Sequence, residues 1–251
     1  MRFALMIDVL GIPPGALVEQ RVPKRMLLEH GAPTAADKRQ IQDGIEEIFW
    51  VAALKPTSIG VPSFNDAVRQ YLEIAVLTVE FRRAAKPPRL IELIHRAIPY
   101  PLVLVTKQSE SVSLSLAHKR WSQGEAGKMV IDEVRQAGLN PDAPSTQEAA
   151  FLASLAVSRL PSHDLFTLYD GMLARLAAFE ASRITGKFAP PDSPEQASVL
   201  LEDLDRHARL KRDLDVLRVR AKKERQMNRR VELNLEIQRL ELKLKEVVPN
   251  L

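Results

Sequence analysis

The residues best placed to do chemistry are two carboxylates, two histidines and a lysine: Glu73, Glu80, His95, His118 and Lys119. A metal-dependent nuclease needs clustered carboxylates to hold a hard cation and a nearby base or lysine to activate water. Glu73 stands in "YLEIAVLTVEF". If that segment is a strand, Tyr71, Ala75, Leu77, Val79 and Phe81 share its face. A carboxylate on an apolar face requires a partner. His118 continues the Val112, Leu114, Leu116 face of another alternating segment and is the expected one. Glu73, His118 and Lys119 are therefore the candidate catalytic set. The competing expectation, which the pattern favours, is a structural ion pair or hydrogen bond at the end of a sheet, because structural pairs perturb carboxylates too.

Other chemistries lack their signatures. No G-x-x-x-x-G-K or G-x-G-x-x-G phosphate loop occurs, no H-E-x-x-H, and no G-x-S-x-G nucleophile turn. The five histidines are isolated in sequence and there is no cysteine, so disulfides and thiolate-held metals are excluded. No metal site and no cofactor is expected.

The second chemical feature is charge. The chain of 251 residues carries a net +4, but from Arg206 to Arg230 eleven cations face three acids, a local excess of eight. Such a block suits phosphates or an acidic protein surface; the bland alternative is a solvated helix face. Phosphate contact needs cations without exact geometry. Arg218, Lys222, Arg225 and Arg229 fall at 3- and 4-residue spacing, which puts them on one side of a helix. They are the candidate nucleic-acid-binding residues, reading backbone rather than bases.

The elements that must position these groups follow from pattern. "MRFALMIDVLG" reads as a short helix stopped by Gly11, not as a signal peptide. A short strand over 17–22 and a helical turn over 24–30 come next. "TAAD" at 34–37 starts a helix in which Ile41, Ile45, Ile48 and Phe49 keep helical spacing. Two strands follow, then the helix "PPRLIELIHRAIP", the covered strand "PLVLVTK" and the alternating strand "SVSLSLAHKR". The order helix–strand–strand thus occurs twice, over about 35–86 and 87–120, and implies an α+β fold: an antiparallel sheet with helices on one face. "KMVIDEVRQ" is expected as a sheet-edge strand. Ala- and Leu-rich helices fill the middle region. The domain reading is an α+β domain over 1–140, a helical region over 141–186, a linker over 187–193 and a long basic, coiled-coil-like helix over 194–251.

"SPEQ" opens that last helix with Ser193 as cap and Pro194 at the first position, and no Gly or Pro follows until Pro249. Leu210, Leu214 and Leu217 form one apolar seam, and Leu233, Ile237, Leu240 and Leu244 a second. The spacing predicts one helix of about 80 Å that must pack on a partner helix. Glu224 and Asn228 fall at seam positions between the two, where they either set register or mark a π-bulge or hinge. Val231, Leu235 and Leu242 make a further apolar stripe. It lacks an aromatic anchor, which disfavours a membrane-surface role. No stretch is long and apolar enough to span a bilayer.

"LGIPPGALVEQRVPK", "YLEIAVLTVEF", "LIELIHRAIPYPLVLV", "LSLAHKRW" and "KKERQMNRRVELNLEIQRLELKLKE" together resemble a bacterial family of unknown function, domain-of-unknown-function family 4391. The resemblance runs over most of the chain and is weakest between about 121 and 195. It implies an accessory protein associated with helicases and DNA methyltransferases of phage-defence or restriction–modification type, and it supplies no catalytic residues. The expected function is a non-enzymatic, cytoplasmic assembly subunit of such a system. It would bind a helicase or methyltransferase partner, or a second copy, through the C-terminal helix, and DNA or RNA phosphates through the basic block. The alternative is a metal-dependent nuclease or other nucleic-acid enzyme using Glu73 and His118.

Overall fold

Gly11, at φ 57°, adopts the left-handed conformation that side chains disfavour, and so ends the first helix, α1 (Arg2–Val9). The computed structural model describes residues 2–125, 127–140 and 142–251. Two units are distinguished, Met1–Leu176 and Ala177–Leu251, with the division inside one helix.

In the first unit, α1 is followed by β1 (Leu17–Arg21), α2 (Lys24–His30), α3 (Ala35–Gly44), β2 (Ile45–Leu54), a single turn α4 (Pro56–Ile59), and the short strands β3 (Phe64–Asn65) and β4 (Gln70–Tyr71). Then come β5 (Ile74–Phe81), α5 (Pro87–Ala97), β6 (Leu102–Gln108), β7 (Ser111–Leu116), β8 (Lys119–Trp121), β9 (Met129–Ile131), β10 (Arg135–Leu139), α6 (Thr146–Ser154) and the start of α7 (Leu165–Thr185). Six strands form one sheet in the order β1-β2-β5-β6-β7-β10. Neighbours are antiparallel except β5 and β6. Those two are joined through α5, and a helical crossover returns the chain to the end of the sheet where it started.

Helix α5 is the clearest product of the sequence pattern. Its Leu90, Ile91, Leu93 and Ile94 are buried on Leu77, Val79, Leu102 and Leu104 of the sheet, with Leu27 of α2 and Ile41 of α3 beside them. Each such side chain contributes roughly 1.5–3 kcal/mol by leaving water. Helix α3 starts at Thr34, whose Oγ1 accepts the Asp37 amide at 3.1 Å. Arg89 of α5 reaches Asp37 with two nitrogens at 2.8 and 3.0 Å, and its guanidinium, with the Thr34 hydroxyl, holds that carboxyl down at about 2.

Three expectations need correction. Residues 45–50 are strand, not helix: α3 stops at Gly44 and β2 begins at Ile45. The register of β2 on β5 shifts between Ile45 and Glu47. A bulge inserts one residue, so Ile45 and Ile48, three apart, both turn into the core and imitate a helical period. "KMVIDEVRQ" splits between two elements. Its first part, β9, pairs with β8 in a separate two-stranded sheet, and the sheet edge is β10, which begins at Arg135.

The third correction concerns the tail, in the second unit. A long C-terminal helix is present, α8 (Pro194–Lys223), started by Ser193, whose Oγ accepts the Gln196 amide at 3.3 Å. It does not run on to 248. Glu224 and Gln226 take extended backbone, ψ 126° and 120°, and a new helix, α9, covers Met227–Val247. The α9 helix runs back along α8: Arg218 reaches Glu241 at 2.8 Å, and Leu251, past the end of α9, packs with Leu200 and Leu204. The reason lies in the seam. Its apolar positions stop at Ala221 and resume at Leu233, and folding at the polar gap lets each half cover the other. The Glu224 carboxylate accepts the Gln226 amide at 2.9 Å, so a side chain closes the turn where glycine or proline would be expected.

Candidate functional site

The candidate catalytic residues do not converge. Glu73 precedes β5 rather than lying in it, and its Oε2 pairs with Lys55 Nζ at 3.1 Å, not with His118. Glu73 is buried, as is Tyr71 two residues before it, while Leu72 between them is exposed, but among the described residues it forms no pair with His118, whose partners are Tyr71 and Asp170. Glu80 pairs with Lys107 at 2.7 Å. Among the described residues, no group of three or more His, Asp or Glu is arranged to hold a metal ion. Because Lys55 is half exposed, Glu73→Gln should lower stability by at most about 1 kcal/mol. Chemical denaturation measures it; an unchanged midpoint combined with loss of a nuclease activity would reinstate the catalytic reading.

Lys119 is held elsewhere. Only 1% exposed, its ammonium donates to the carbonyls of His95, at 2.5 Å, and Ile98 at the C-terminal end of α5. Those carbonyls are among the last of the helix, which lack partners within it. Burial draws the Lys119 pKa down to about 7. His95, fully buried, meets Ser115 Oγ at 3.0 Å, and burial followed by the nearby lysine charge lowers its pKa to about 3. Both groups therefore serve the junction of α5 with β7 and β8.

His118 joins a chain of three. Tyr71 Oη lies 2.5 Å from His118 Nδ1, and His118 Nε2 lies 3.1 Å from Asp170 Oδ1 on α7. Burial raises the Tyr71 pKa, so the phenol keeps its proton and donates to Nδ1, leaving the Nε2 proton for Asp170. Phe166 stacks against the Phe64 ring and packs on the Tyr71 and His118 rings. Tyr71 is 0% exposed, out of reach of a substrate. The chain ties α7 to β4 and to the connection between β7 and β8. Tyr71→Phe should cost about 1 kcal/mol in thermal or chemical unfolding and leave any nucleic-acid affinity unchanged. Sequence pattern had no means of finding Asp170, which lies 52 residues from His118 on a different kind of element.

A cleft of about 490 Å³ opens beside β2 and β5, lined by Asp8, Glu19, Glu47 and Glu80 around Phe49 and Thr78. Arg21 pairs with Glu47 and Lys107 with Glu80. Its carboxylates repel phosphate, so it is no place for a nucleic-acid backbone.

The cations gather at the turn between α8 and α9. Lys222 and Lys223 end α8, Arg225 sits in the connection, and Arg229 and Arg230 occupy the first turn of α9. All five are exposed, and none forms an ion pair among the described residues. Arg218 differs, because it is paired with Glu241 and at 3.9 Å with Asp215, and so braces the two helices. The expected stripe along one unbroken helix is replaced by a knob built from two helix ends. Residues Leu210, Leu214, Leu217 and Leu233, Ile237, Leu240, Leu244, expected to meet a partner, lie on the two helices of this hairpin; Leu214 and Leu217 are buried, and the α9 members are half-buried. Basic side chains in the last turn of α8 also offset its C-terminal partial charge.

With this geometry in hand, a family model described as "Domain of unknown function (DUF4391)" matches residues 10–244. No curated protein and no solved structure matches the chain.

Proposed function

The chain belongs to the DUF4391 family of domains of unknown function, and from that premise we propose that it is a non-enzymatic accessory subunit that contacts the phosphate backbone of nucleic acid through its basic hairpin turn. One observation carries the reading: Lys222, Lys223, Arg225, Arg229 and Arg230 surround a single connection that contains one acid, Glu224, and none of the five forms an ion pair among the described residues. Cations on two helix ends suit sequence-neutral contact, because phosphates demand charge more than fixed geometry. No phenylalanine, tyrosine or tryptophan occurs from residue 189 onward, so the turn offers no platform for stacking single-stranded bases. The setting we propose is the cytoplasm, in a bacterial DNA-defence system with a helicase or methyltransferase as protein partner. Among the described residues no helix is long and apolar enough to cross a membrane, which accords with that setting.

Fluorescence anisotropy at low salt on two duplexes of unrelated sequence tests this reading. Equal, salt-sensitive affinities are expected. Absence of binding would overturn the phosphate role, and divalent-dependent cleavage of the duplex would favour the nuclease alternative instead.

A further inference from the structure

Helix α9 is apolar on two sides, and α8 covers only one. Leu233, Ile237, Leu240, Leu244 and Val247 follow a 4-3-4-3 spacing on the side facing α8. At 100° per residue, Met227, Val231, Leu235 and Leu242 cluster on the reverse side. They are 63%, 51%, 51% and 61% exposed. Scattered exposed apolar residues are ordinary; four in one row along a helix whose other side is already packed are not.

The charges beside this row say what covers it. Glu232 and Arg239 lie on one flank, Arg230 and Glu241 on the other. Two α9 helices placed antiparallel and centred near Leu235 bring like flanks together. Arg230 of one copy then faces Glu241 of the other, whose Oε1 already takes Arg218 of its own hairpin at 2.8 Å, and Glu232 faces Arg239. A two-fold axis repeats each pair, giving four contacts of opposite sign. A parallel arrangement brings opposite flanks together with a five-residue offset, which sets Glu241 against Glu246 and provides no opposite-sign pair. Flanking charges of this kind determine partner and orientation in paired helices.

We propose that the reverse side of α9 is a self-association surface, on which a second copy of this chain docks antiparallel through Met227, Val231, Leu235 and Leu242. The surface is distinct from the hairpin's internal seam and shares Arg230 with the basic turn; the other cations of the turn, Lys222, Lys223, Arg225 and Arg229, take no part in it.

Light scattering and sedimentation on the full chain test it. The parent is expected at twice the 28.2 kDa mass of one chain. Leu235→Glu with Leu242→Glu is expected to give a single-chain mass with an unchanged far-ultraviolet spectrum, since both side chains are exposed. Arg239→Glu alone should raise the dimer dissociation constant about tenfold or more, and adding Glu232→Arg should bring it back. A parent that stays at single-chain mass at high micromolar concentration would overturn the proposal. So would a Leu235→Glu, Leu242→Glu variant that remains a dimer, or a reversed charge pair that fails to restore association.

Discussion

Replacing Lys119 by methionine is expected to destabilise the protein by about 3 kcal/mol near neutral pH. The variant keeps most of the side-chain volume but leaves the His95 and Ile98 carbonyls, at the buried end of α5, without their donor. The effect should also depend on pH. The folded-state pKa of Lys119 is lowered from 10.5 to about 7, by burial. Between those values the unfolded chain holds the proton and the folded chain does not. Stability attributable to this residue therefore rises as pH climbs from about 7 towards 10.5, by at most about 1.4 kcal/mol per pH unit. Below pH 7 both states carry the charge and the slope vanishes. His95 acts with the same sign in a more acidic window. Its folded value of about 3 lies below the ordinary 6.5, so its stabilising share is complete above about 6.5 and lost towards 3. Chemical denaturation of parent and Lys119→Met at pH 7, 8 and 9 measures the first effect; parallel curves would show that burial does not deprotonate this lysine.

The second large effect concerns the basic turn. Lys222→Gln, Arg225→Gln and Arg229→Gln together retain helix-compatible side chains and remove three charges from three structurally distinct places: the end of α8, the connection and the start of α9. Removing one cation from a phosphate should flatten the slope of log affinity against log salt by ~0.9 on duplex DNA. The triple variant should thus reduce the slope by up to ~3 units, and unrelated sequences should weaken alike. Arg218→Gln is the informative contrast. Because Arg218 is paired with Glu241 and Asp215, its removal should loosen the packing of α8 on α9 while changing the salt slope little. Equal reductions of slope for both variants would mean that the knob does not meet the phosphates.

Where the fold was legible, the signal was periodic and local. Helix α5 shows it best: Leu90, Ile91, Leu93 and Ile94 mark one side, and the flanking strands alternate or are apolar throughout. Where the reading failed, the local pattern was genuine but generated by something else. The Ile45–Ile48 spacing is made helical by a bulge, which no single-strand pattern reveals. The turn at 224–226 contains neither glycine nor proline, and the signal for it was the polar gap between Ala221 and Leu233. The candidate site was legible in composition and not in shape. The cations were visible as a run, but their convergence depends on a hairpin. The partners of Glu73 and His118 were hidden for a different reason: Lys55 and Asp170 reach them through tertiary packing, which alternation along a strand does not encode.

Backbone hydrogen exchange over the whole chain, with and without a duplex at low salt, examines the central claim most directly, because it locates the bound surface as well as detecting binding. Slowed exchange across residues 218–232, at the end of α8 and the start of α9, is the expected result. Slowed exchange confined to the region around Glu73, His118 and Lys119, with the hairpin turn unchanged, would contradict the account.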